Sequence, residues 1–92
     1  MLSTTHPGTI LKEEIEARQM SAHALALAIR VPASRIGEII AGRRAVSADT
    51  ALRLGRYLGT GPELWMNLQS AYDLGEATRL HGARIEQEVT AA

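Results

Sequence analysis

Residues 20–44, "MSAHALALAIRVPASRIGEIIAGRR", hold two short helical patterns separated by a break of about three residues, and that break decides the fold. Ser21 offers an N-cap oxygen, and Leu25, Ala28 and Ile29 follow at i, i+3 and i+4, which predicts a helix with those three residues inward. Pro32 biases Val31 away from the α region, so the chain turns at "RVP" and restarts. The next helix is expected over 33–41, with Ile36, Ile39 and Ile40 on one face and Gly42 as its C-terminal stop.

The flanking segments are also helical. Upstream, "HPG" places Pro7 at a first helical turn, with Ile10, Leu11 and Ile15 inward and an end near Gln19. Paired Glu13 and Glu14 read as surface charges favoured by that helix's N-terminal dipole. Downstream, Ser47 caps a fourth helix with Ala51, Leu54 and Leu58 inward and Gly59 closing it. Thr60 and Glu63 match a capping box around Pro62, opening a fifth helix that carries Leu64, Trp65, Leu68 and Tyr72 as core or dimer contacts. In "GEATRLHGARIEQEVTAA" (75–92), Gly75 and Gly82 argue against one continuous helix, and Ile85 and Val89 share a face; a short docking helix or a frayed tail is expected. The expected organisation is one all-α domain over residues 1–74, followed by a C-terminal helical extension or tail over 75–92.

Composition agrees. Ninety-two residues make one compact domain with little core to spare, so oligomerisation is a natural way to bury more surface. Hydrophobic residues are 46% and charged residues 22%, the balance of a folding chain, and aromatics are few against abundant Ala, Leu and Ile. There is no Cys, and His6, His23 and His81 lie too far apart in sequence to suggest a zinc site, so no metal or cofactor is expected. The opening "MLSTTHPG" lacks the pattern of a secretory leader, and no stretch approaches the roughly 20 apolar residues of a membrane span. A cytoplasmic protein without membrane contact is expected.

The zero net charge hides an asymmetry: residues 1–29 sum to minus one, 30–56 to plus four and 57–92 to minus three. A basic middle suggests a face for a polyanion. On the predicted third helix, turning its isoleucines inward leaves Ser34, Gly37, Glu38 and Ala41 outward with Arg35 on the flank, a small surface that lets a backbone enter a major groove about 12 Å wide. Gly37 in mid-helix costs up to about 1 kcal/mol and wants a compensating reason. Arg35 suits the guanine O6 and N7 acceptors or a phosphate, whereas Glu38 can accept from a cytosine amino group but as a helix-surface residue is rather expected to pair with a neighbouring arginine or stay solvated. Arg43 and Arg44 follow the helix, where they reach for phosphates and add affinity without sequence choice. Catalysis is not expected: Ser21 and His23, two apart on a helix, diverge, and no third group orients the imidazole.

Over about residues 6–74, "HPGTILKEEI", "MSAHALALAIRVPASRIGEIIAGRR" and "VSADTALRLGRYLGTGPELWMNLQSAYDL", in this order and spacing, resemble the XRE-type helix-turn-helix proteins, and among them the HigA-like antitoxins. The resemblance implies a compact, five-helix, lambda-repressor-like fold and a homodimer that binds a palindromic operator and represses its own operon. It also implies a RelE-like mRNA-cleaving toxin as partner. By position it places Ser21, Ala22 and His23 at the DNA backbone, and Ala33, Ser34, Arg35, Gly37 and Glu38 on the recognition helix. Two residues depart from the pattern: Ala22 stands where Gln is frequent, and Arg30 stands where Gly is common in the turn, which predicts an unfavourable backbone angle there. Two other readings are a stand-alone regulator without a toxin and a helical protein-interaction module that has lost DNA binding.

Overall fold

The computed structural model describes residues 5–92, so "MLST" of the leader reading lies outside the described residues. The described chain is five α-helices: α1 (Pro7–Ala17), α2 (Ala22–Ile29), α3 (Ala33–Ile40), α4 (Ala48–Leu58) and α5 (Pro62–Glu88). Side chains set three of the starts. His6 Nδ1 accepts the Gly8 N–H at 2.9 Å, Ser21 Oγ accepts that of Ala24 at 3.0 Å, and Ser47 Oγ accepts that of Thr50 at 3.3 Å.

Three helices end alike, with a left-handed residue and two reversed hydrogen bonds. After α3, Gly42 has φ +78°, its N–H donates to Ile39 O, and the Arg43 N–H donates to Glu38 O at 2.9 Å. After α2 the same pair of bonds runs from Arg30 and Val31 to Leu27 and Ala26, and after α1 from Gln19 and Met20 to Glu16 and Ile15. Arg30 (φ 59°) and Gln19 (φ 56°) hold this conformation with a Cβ, at roughly 1–2 kcal/mol each. The expected strain at Arg30 is present, and α1 stops at Ala17, two residues before the expected Gln19.

The core joins Leu11 and Ile15 of α1, Leu25 and Ile29 of α2, Ile36 and Ile39 of α3, Ala51, Leu54 and Leu58 of α4, and Trp65 of α5. Ile10 and Ile40 are partly buried against it. In α2 the inward alanine is Ala26, and Ala28 is exposed, correcting the sequence expectation. The outward stripe of α2 even includes Leu27. Glu13 and Glu14 lie in mid-helix rather than in the first turn; Glu14 pairs with Arg18 instead of with the helix dipole.

Two glycines let backbones touch. A Cβ on Gly8 would lie 1.8 Å from Ile39 O, and one on Gly55 would lie 2.3 Å from the carbonyl carbon of Gly61, so α1 meets α3 and α4 meets the start of α5 with no room for a methyl group. The capping box does not form. Gly61 is the N-cap of α5, while the Thr60 hydroxyl accepts the indole N–H of Trp65 at 2.9 Å and donates to Gly61 O. A fully buried indole needs a partner for its N–H, and that demand outweighs a solvent-exposed cap.

α5 runs unbroken through Gly75 and Gly82, so the extension is neither a separate docking helix nor a frayed tail. Its first half buries Trp65, Gln69 and Gly75, and nothing from Glu76 to Glu88 is buried. A helix of 27 residues is about 40 Å long, and the molecule is accordingly elongated, 48 × 21 × 21 Å. Among the described residues, no helix is long and apolar enough to cross a membrane.

Candidate nucleic-acid interface

α3 sits on the core through Ile36 and Ile39, both fully buried, and turns a small surface outward. Ala33, Ser34, Gly37 and Ala41 are exposed, while Arg35 and Glu38 are half-buried on the flanks. A Cβ on Gly37 would meet nothing within 4 Å. No neighbour inside the protein therefore requires glycine there, and its helix cost of up to about 1 kcal/mol is compensated by nothing within the described chain.

The end of α3 fixes the position of the basic segment. Gly42 reverses the chain within one residue, so Arg43 and Arg44 stand directly beside the helix terminus. Arg44 Nε lies 3.2 Å from Glu38 Oε1, and the pair is about half exposed. Of the readings the sequence left open for Glu38, the pair with a neighbouring arginine is the one seen within the chain. Arg43 is exposed, and among the described residues its guanidinium has no acidic partner; the same holds for Arg35.

At the other helix of the motif, the Ser21 hydroxyl is engaged in capping α2 and His23 is exposed beside it. Ala22 is partly buried and packs against the core, so it contributes to the seating of α2 rather than presenting an outward side chain. Among the α5 candidates, Trp65 is core, Leu68 packs against the core, and Tyr72 is half-buried beside His6. Leu64 is exposed, which leaves it outside the core.

The remaining basic residues form a second group. Arg53 pairs with Asp49 at 2.7 Å and donates to Ile29 O at 3.0 Å, closing the C-terminal end of α2. With Arg30, Arg56 and Tyr57 it lines a shallow pocket of about 270 Å³. The charge sum of plus four therefore divides between the end of α3 and the α2–α4 seam. Sequence reasoning also missed Gln69, a buried amide four residues after Trp65; a polar residue on that apolar stripe was the available signal.

The chain matches the helix-turn-helix family over residues 11–65. An addiction module antidote protein of the HigA family from Coxiella burnetii superposes with a TM-score of 0.94 at 46% identity, covering 99% of this chain and 100% of that one. The Pseudomonas aeruginosa antitoxin HigA, solved with the higBA promoter, superposes with a TM-score of 0.92 at 43% identity, covering 96% and 97%. Virulence-associated protein I of Dichelobacter nodosus is 54% identical over 70 residues, 75% of this chain and 65% of that protein. With the family match over residues 11–65 and HigA antitoxin structures superposing over nearly the whole chain, the chain belongs to the XRE-type helix-turn-helix family, among its HigA-like antitoxins.

Proposed function

We propose that the protein is a cytoplasmic, operator-binding antitoxin that represses its own operon. The observation that carries this is the outward face of α3: Ser34, Gly37 and Ala41 leave the backbone open to close approach, with Arg35 on the flank and Arg43 free at the end. In this reading α3 enters the major groove, Arg35 meets a guanine or a phosphate, and Arg43 meets a phosphate beside the groove. Ser21 and His23 lie along the DNA backbone at the start of α2, where the positive end of the helix dipole favours an anion. Arg44, partly neutralised by Glu38, contributes less than Arg43.

Residues 1–74 would form the DNA-binding body and 75–92 an extension for self-association. Leu80, Ile85 and Val89 are exposed along that extension, and a groove lined by Leu74, Ala77, Thr78, Gly82 and Ile85 begins at its junction with the body, supporting a homodimer that reads a palindrome. Half-sites of such a dimer lie about 34 Å apart. A RelE-like mRNA-cleaving toxin is the partner the relationship to named antitoxins supports.

Gel shift against the protein's own upstream DNA tests the reading. Arg43→Ala is expected to weaken binding to all sequences and lower the salt slope by about one, while Arg35→Ala relaxes the preference at one base pair. Absence of any shift at low salt would refute DNA binding. For the toxin, co-expression with the adjacent open reading frame should restore growth that the frame alone arrests; continued arrest, or no arrest at all, favours a stand-alone regulator.

A further inference from the structure

The segment that carries Arg43 and Arg44 belongs to no helix: the turn at Gly42 ties its start to α3, and further contacts come from α1 and α5. Val46 is buried, and its N–H donates to Gln69 Oε1 of α5 at 2.8 Å. Gln69 is itself only 5% exposed, and its Nε2 donates to Asp73 Oδ1 at 2.9 Å. Tyr72, beside Asp73, meets the His6 ring edge-on, with centroids 4.9 Å apart and planes at 74°. The Arg44 backbone also lies against the ring, as an acceptor that favours its protonated form. Gly42 passes close by: a Cβ there would lie 3.9 Å from His6 Cγ. Beyond the turn at Gly42, residue 44 is thus held by His6 and residue 46 by Gln69.

We infer that His6 and Gln69 are positioning residues for nucleic-acid binding, pinning the backbone of residues 42–46 to the start of α1 and to α5 so that Arg43 and Arg44 are presented in one fixed place. The inference rests on the DNA-binding reading above. Neither residue lies on α3 or needs to touch DNA, and both act through the backbone of the basic segment.

His6 adds a pH dependence. Burial lowers its pKa from the ordinary 6.5, opposed by the Asp73 carboxylate and the Arg44 backbone contact. Its surroundings are the Gly8 N–H of α1, Tyr72 and Asp73 of α5, and the Arg44 backbone; the Arg44 guanidinium is turned to Glu38. Protonation places a proton on Nδ1, which then cannot accept the Gly8 N–H; the Arg44 contact is kept, but the ring loses the bond that seats it on α1. Because the folded-state pKa is the lower one, that seating bond is complete above about pH 6.5 and is lost as pH falls toward and through the folded value.

The test measures affinity for the protein's upstream DNA across salt and pH, with circular dichroism confirming that each variant is folded. His6→Asn keeps an N-cap acceptor but loses the ring, and Gln69→Leu removes the acceptor for Val46. Each should weaken binding about tenfold and lower the salt slope by about one. His6→Asn should also lose the part of the affinity that wild type sheds below pH 6.5. If Gln69→Leu fails to fold, His6→Asn decides alone. Wild-type affinity and slope in folded His6→Asn would overturn the inference and leave DNA binding standing; a wild type that never shifts DNA would overturn both.

Discussion

The two halves of α5 are one helix made in two ways. Residues 62–75 bury Trp65 and Gln69 and satisfy the polar atoms of both, through Thr60, Val46 and Asp73. Residues 76–88 bury nothing and leave Leu80 and Ile85 in solvent, held by local pairs such as Glu76–Arg79 and Arg84–Glu88. Such solvent-screened pairs contribute little, and thirteen residues in isolation would be a marginal helix. The contrast locates the source of the helix. Docking of the first half, Gly75 included, pins the nucleus, and the Ala, Leu, Glu and Arg residues beyond it propagate the helix past Gly82.

The largest expected effect breaks the docked half. Gly55→Ala puts a methyl group 2.3 Å from the carbonyl carbon of Gly61 and 2.5 Å from Pro62 N, both backbone atoms at the start of α5. Relief requires lifting α5 off α4, at a cost of about 3 kcal/mol or more. A denaturant titration followed by circular dichroism should show lower stability with helix lost from both halves together. Unchanged stability would mean that the first half does not nucleate the second.

This dependence explains which features were legible. Local chemistry was: Ser21 and Ser47 as caps, Gly42 and Gly59 as stops, the inward isoleucines of α3, the strained Arg30 and the pairing of Glu38 all follow from residues within one or two turns. What was misread depended on distant partners. Ala26 and Ala28 look alike in "AHALALAI", because Leu25 and Ile29 alone do not say on which side the buried stripe widens. Thr60 reads as a cap until Trp65 claims its hydroxyl. Continuity across Gly75 and Gly82 depends on a nucleus that no window over 75–92 contains. On the candidate interface, the outward set on α3 was readable from periodicity, whereas the anchoring of its flanking loop by His6 and Gln69 joins residues up to 38 positions apart.

The exposed half should respond in the opposite way. Ile85→Glu removes no buried contact within the chain, so monomer stability should change by no more than about 0.5 kcal/mol. If the extension is the self-association surface, the dimer should weaken at least about tenfold, a change of roughly 1.4 kcal/mol readable by sedimentation. Unaltered self-association would move the interface away from this half of α5.

The smallest effect is the sharpest, because it repeats the first substitution in the other half. At Gly82 an added Cβ meets only the Thr78 side chain, with Cγ2 at 3.2 Å, and no backbone outside the helix itself. A rotatable methyl group can give way by a few tenths of an ångström, whereas the Gly61–Pro62 backbone cannot. Alanine also removes the flexibility cost of a mid-helix glycine, up to about 1 kcal/mol, so Gly82→Ala should stabilise the helix by roughly 0.5 kcal/mol once Thr78 has adjusted. A slightly higher melting temperature measured at concentrations below dimerisation would show that helix in this half is limited by propensity alone. A loss comparable to that of Gly55→Ala would mean instead that the second half packs against something within its own chain, and the distinction between the two halves of α5 would fall.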